Sequence, residues 1–189
     1  LAKSEARLAE LGTTASTTTD GWIEKALEGV RDWALIGGPP CQAYSLAGRA
    51  RMKGVADFAD DKRHFLYREY LRIIKKFKPS VFVMENVKGM LTSQHGGSLI
   101  FEKIIGDLRQ PSDGLSYRIQ SLVVEGEDLD PHDFVIKSED YGIPQRRHRV
   151  ILFGIRSDVA ADSSALRNEP MRFKLKEVKS KIGVLAALS

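Results

Sequence analysis

The 189-residue chain reads as an α/β sandwich with a largely parallel sheet. Three observations predict this. Short apolar, β-branched runs alternate with longer runs of helical spacing. Two of the short runs, "ALIGG" and "SVFVMENV", end in glycine or polar residues, as strands do where they leave a sheet. The 42% hydrophobic and 29% charged composition is that of an ordinary globular domain. The length suits one ordinary domain with a sizeable core.

In chain order, "LAKSEARLAELG" has helical spacing of Leu and Ala and a glycine stop. "TTASTTTD" reads as a polar loop. A helix is predicted through "GWIEKALEGVRDW", with Trp22, Ile23, Ala26, Leu27 and Val30 on one face, then a short buried strand in "ALIGG". From Gln42 to about Asp61 periodicity is lost and a loop is expected. "HFLYREYLRIIKKF" is an amphipathic helix stopped by "KPS", and "SVFVMENV" is the next strand. A helix in "GSLIFEKIIGDLRQ", a strand in "YRIQSLVV", an acidic loop and a strand in "RVILFGI" follow. Beyond Arg156 the chain reads as irregular until a short helix in "KEVKSKIGVLAALS". The divisions expected are an N-terminal helical and loop segment over 1–31, a core over 32–156 and a linker over 157–189.

A lone cysteine, Cys41, excludes an intramolecular disulfide and fits a reducing, cytoplasmic setting. No apolar run is long enough to span a bilayer and no signal peptide is evident, so no membrane role is expected. The net charge of +4 and pI near 9.2 permit a polyanionic partner without requiring one. No spacing suggests a metal site.

Parallel sheets carry ligands at the carboxyl ends of their strands, where Cys41 and Glu85 would emerge together. Taken singly, Cys41 reads as a buried thiol. Its neighbours argue for a held nucleophile: Pro39 and Pro40 stiffen the backbone, and Gly37 and Gly38 allow close approach. Glu85 follows an apolar run that would favour its protonated form, making it a proton donor; a strand-end carboxylate in solvent or a helix cap fits equally well. Asn86 would cap the next segment or orient that carboxylate. In "YGIPQRRHRVILFGI", Gln145, Arg147 and Arg149 alternate and would share one face, either a planar hydrogen-bonding platform or a solvated basic strand start. His148 points the other way as a structural residue.

"PPCQAYS", "MENVKGM" and "DYGIPQRRHRV", in this order and spacing, resemble the cytosine-5 DNA methyltransferase family over residues 32 to 156. The resemblance implies a Rossmann-like S-adenosylmethionine-dependent methyltransferase sheet, mostly parallel with one antiparallel strand toward its C-terminal edge. It implies a DNA (cytosine-5-)-methyltransferase of bacterial restriction-modification type acting on double-stranded DNA. Cys41 would add to carbon 6 of a flipped cytosine, Glu85 would meet the ring N3 and amine, Arg149 would hold O2, and Arg147 would support them. Gln42, Ser45, Asn86 and Gln145 would bind substrate; Pro40, Leu66 and Asp32 would contact the cofactor S-adenosyl-L-methionine. Arg49, Arg51 and Lys53 would contact phosphates.

The chain has no G-x-G-x-x-G turn and no segment for target recognition, so it resembles a family member's catalytic portion. Its partner would be a cognate restriction endonuclease or a second methyltransferase fragment. A transfer RNA cytosine-5 methyltransferase and a non-catalytic nucleic-acid-binding fragment are the alternatives.

One geometric condition follows. Cys41 and Glu85 close their strands, whereas Arg149 opens its own. A six-residue strand spans roughly 20 Å, so a parallel arrangement would leave Arg149 at the wrong edge. Residues 149–155 must therefore run antiparallel to the strands ending near Gly37 and Glu85, with "YRIQSLVV" as an antiparallel neighbour.

Overall fold

The computed structural model describes residues 6–39, 66–95, 98–164 and 174–178. Four helices are described: α1 (Ser16–Leu27), α2 (Leu66–Phe77), α3 (Ile100–Arg109) and α4 (Ser157–Asp162). The strands are β1 (Ala34–Gly37), β2 (Val81–Val87), β3 (Gln94–His95), β4 (Ser98–Leu99), β5 (Tyr117–Gln120), β6 (Val135–Lys137) and β7 (His148–Arg156). The main sheet has the order β1-β2-β7-β5, with β6 also pairing β7.

β1 and β2 pair in parallel, while β7 is antiparallel to β2, β5 and β6. Four strands of this sheet therefore run one way and β7 alone is reversed. The condition set by reach is met: Arg149 lies opposite Val87, at the carboxyl end of β2. β7 alternates strongly because it is central, with Val150 and Leu152 fully buried on one face.

The core lies on that face. Phe82 and Met84 of β2, with Val150 and Leu152 of β7, pack against Tyr70, Leu71 and Ile74 of α2 and Ile104 and Leu108 of α3. Tyr70 ties the sheet to α2: its hydroxyl lies 3.0 Å from the Val83 carbonyl and 3.3 Å from that of Leu35. Gly37 is required beside it, because a Cβ there would sit 2.7 Å from the Tyr70 ring. The opposite face, with Val81, Val83, Glu85 and Val87, is only half-buried.

Several sequence expectations need correction. Residues 6–10 are not helical, and Leu8 is exposed: apolar spacing without a surface to bury against does not hold a helix. The "TTASTTTD" segment is no loop beyond Ala15, since α1 begins at Ser16. Its buried positions include Thr19 and Asp20, and Arg72 and Lys76 of α2 reach Asp20 at 2.7 and 2.9 Å. The helix stops at Leu27, not Trp33, because Glu28 and Gly29 take positive φ. Val30, expected on the buried face, is exposed.

β1 is not fully buried; it is a sheet edge among the described residues, and Ile36 is 77% exposed. The strand in "YRIQSLVV" ends at Gln120, because the Ser121 hydroxyl accepts the amides of Val123 and Val124 and turns the chain. The acidic segment carries a 3₁₀ turn, Pro131–Phe134, closed by reciprocal Asp130 and Asp133 caps, and then the unexpected strand β6. α4 stands where irregular chain was expected. Lys176–Val178 are not helical, and the rest of the expected terminal helix lies outside the described residues.

Candidate active site

β2 is carried to the site by its apolar alternation: burying Phe82, Met84 and Asn86 sends Glu85 to the other face. The reversal of β7 brings Arg149 to the same edge, one diagonal step from Glu85 on that face. Arg149 Nε lies 2.8 Å from Glu85 Oε1, and Arg147 Nη2 lies 3.7 Å from the same oxygen. The Arg149 contact joins charges without an aligned hydrogen bond at Nε; its Nη1 donates to the His148 carbonyl at 2.7 Å.

The apolar setting expected for Glu85 is not observed. Its side chain is 38% exposed and two guanidiniums face it. Glu85 Oε2 faces Gly38, where a Cβ would approach to 3.0 Å. The second glycine of "IGGPPC" thus leaves room for the carboxylate, and the chain enters the proline pair directly beside it.

Asn86, 5% exposed, does not orient the carboxylate. Its Nδ2 donates to the Pro39 carbonyl at 3.3 Å, and its Oδ1 accepts the Val87 amide at 2.8 Å. It ties the end of β2 to the segment that leads to Cys41. Cys41, Pro40, Gln42, Ser45, Arg49, Arg51 and Lys53 lie outside the described residues.

Gln145 stands in the turn before β7, so strand alternation does not extend to it, and its side chain is exposed. His148 Nε2 lies 2.8 Å from Glu139 Oε1, on the face away from Arg149, as expected of a structural residue.

Of the expected cofactor residues, the two described, Leu66 and Asp32, do not converge. Leu66 opens α2, the crossover that follows β1, and so lies toward the carboxyl edge. Asp32 precedes β1 and accepts a hydrogen bond from Ser80 Oγ at 2.8 Å, at the amino edge. Six extended residues, roughly 20 Å, separate it from Gly38. An open cavity of about 650 Å³ lined by Asp32, Trp33, Lys78 and Arg156 also belongs to that amino edge, away from Glu85. Asp32 therefore does not fit a donor site shared with Leu66, and the described residues do not by themselves assemble one. Among the described residues no cluster could hold a metal, and no helix is long and apolar enough to cross a membrane.

Sequence reasoning missed two features of this edge: the Asn86–Pro39 bond and the hold that Ser138 has on the Arg147 backbone. A hydroxyl just before "EDYG" was the available signal, since serine often bonds nearby backbone.

A carboxylate and two guanidiniums thus stand together at the carboxyl edge of an α/β sheet, beside Gly38, where such sheets carry their ligands. Residues 32–188 match the model of the C-5 cytosine-specific DNA methylase family, and the chain belongs to that family. It is 41% identical over 144 residues to the type II methyltransferase M.Bpa9945I of Bacillus paralicheniformis, covering 75% of this chain and 30% of that protein. It is 38% identical over 148 residues to M.AquIA of Picosynechococcus sp., covering 77% of this chain and 52% of that protein. The chain thus spans from about a third to about half the length of these curated relatives. A crystal structure described as a DNA modification methyltransferase encoded within an E. coli prophage superposes with a TM-score of 0.57 at 24% identity. That match covers 95% of this chain and 40% of the other, and it supports the methyltransferase fold alone.

Proposed function

We propose that the protein containing this chain methylates carbon 5 of cytosine in double-stranded DNA through a covalent enzyme–base adduct. The observation that carries this reading is the Glu85–Arg149–Arg147 cluster beside the chain leading into Cys41. The Cys41 thiolate forms a bond to carbon 6 of the ring, and the electron pair released makes carbon 5 nucleophilic. Glu85 faces N3 and the exocyclic amine, sharing a proton with N3 as charge develops there. Arg149 holds O2, and Arg147 holds Glu85 in place. After methylation the carbon 5 proton leaves, the carbon–sulfur bond breaks and the thiolate is restored. S-adenosylmethionine supplies the methyl group in this reading. Because carbon 6 is covered in a stacked duplex, the base must leave the helix first.

The family match and the type II names of the relatives favour DNA over transfer RNA as substrate and suit a restriction-modification role, with a cognate endonuclease as partner. The test uses the full-length protein on duplex DNA with 5-fluorocytosine at the target. Fluorine cannot leave as the proton does, so the adduct persists. A donor-dependent covalent complex is expected with wild type and none with Cys41→Ser. Efficient trapping by the Ser variant, or trapping on transfer RNA alone, would overturn the reading.

A further inference from the structure

We propose that Ser138 is a positioning residue that sets Arg147, and through it Glu85, for the reaction; this rests on the methyltransferase reading above. Ser138 opens the 3₁₀ turn Ser138–Tyr141 that follows β6. Its hydroxyl donates to the Gln145 carbonyl at 2.5 Å and accepts the Arg147 amide at 3.0 Å. Its own amide donates to the Arg147 carbonyl at 3.1 Å. One residue thus bonds both backbone polar groups of Arg147 and the carbonyl two residues earlier. The next residue, Glu139, grips the His148 ring at 2.8 Å. The turn 138–141 therefore clamps the 145–148 segment at four points.

Arg147 needs this clamp and Arg149 does not. Arg149 lies inside the ladder, flanked by Val87 of β2 and Ile136 of β6. Arg147 precedes β7, its side chain is 53% exposed, and its contact with Glu85 is long at 3.7 Å. Its aim depends on where its backbone is held. Two of the bonds that hold the segment come from a single hydroxyl, which a hydrophobic residue of similar shape would remove.

The experiment compares Ser138→Thr, which keeps a hydroxyl, with the near-isosteric Ser138→Val, in wild-type and Arg147→Ala full-length protein. Covalent adduct formation on 5-fluorocytosine duplex is followed in a single turnover, with DNA affinity and melting temperature measured in parallel. In the wild-type background Ser138→Val should slow adduct formation about tenfold while DNA affinity changes less than about twofold, and Ser138→Thr should restore most of the rate. In the Arg147→Ala background the two variants should react alike, because residues acting through one another are not additive. The proposal fails if Val and Thr react equally in the wild-type background, or if Val costs the same factor with and without Arg147. It also fails if Val lowers DNA affinity and rate together. Absence of any adduct from wild type would instead overturn the methylation reading, and the clamp's catalytic meaning with it.

Discussion

Glu85 is met by two guanidiniums, Arg149 at 2.8 Å and Arg147 at 3.7 Å, and by the space left at Gly38. Two substitutions probe this arrangement, one at the carboxylate and one at the glycine. Glu85→Gln keeps the shape but cannot share a proton with the base, so turnover should fall about a hundredfold or more while duplex affinity stays within a few fold. Single-turnover rates beside equilibrium binding measure both; equal losses in rate and affinity would leave Glu85 a merely positional role. Gly38→Ala adds a methyl group 3.0 Å from Glu85 Oε2. The carboxylate can swing aside, so stability should change by less than about 1 kcal/mol, but the swing breaks its alignment and turnover should drop about tenfold. Thermal melting with a methylation assay separates the two effects.

The decisive element is β7. Its reversal places Arg149 beside Glu85, and its burial holds that placement. Gly154 shows how tightly: a Cβ there would lie 2.2 Å from the ring of fully buried Phe82, which itself packs edge-on to Tyr70. Neither backbone nor ring has room to yield. Gly154→Ala should destabilise the domain by about 3 kcal/mol, measured by denaturant unfolding, and a change below about 1 kcal/mol would contradict the packing described. β1 depends on α2 in a comparable way, through the Tyr70 hydroxyl at the Leu35 and Val83 carbonyls. Burial, together with the neighbouring Tyr117, raises the pKa of that phenol, so it remains a donor throughout the working range of pH.

Over the whole molecule, α1 is fastened to α2 by charge. Asp20, with a side chain 9% exposed, accepts from Arg72 and Lys76. Burial opposes its ionisation, but the hydrogen bonds from Lys76 and Arg72 outweigh it and hold its pKa below the ordinary 3.8. On acidification the unfolded chain therefore takes up the proton first. The stabilisation is complete above the ordinary value and is lost as pH falls below 3.8 toward the folded value. Asp20→Asn should cost about 2 kcal/mol at pH 7, and the gap from wild type should shrink below about pH 4. Melting curves at both pH values test this; a constant gap would assign the effect to packing.

Much of the fold was legible because α2, β2, α3 and β7 each carry a strong period of their own: alternation in "VFVMENV" and a wide apolar stripe in "LYREYLRIIKKF". The candidate site residues came from the resemblance of "PPCQAYS", "MENVKGM" and "DYGIPQRRHRV" to a known family, and on that catalytic reading reach demanded that β7 be reversed. The start of α1 and strand β6 were not legible. Thr19 and Asp20 are polar in the sequence and become buried only because Arg72 and Lys76, more than fifty residues away, meet them. Val135–Lys137 is too short to show a period and becomes a strand only because β7 offers a free edge. Asp32 and Leu66 lie on either side of β1 in the chain, and only the direction of that strand sends them to opposite ends of the sheet. Local pattern thus determined the strongly periodic elements, since side-chain period and backbone preference act within a few residues. Tertiary structure decided which charges meet, because a contact between distant residues exists only once both strands have found the sheet.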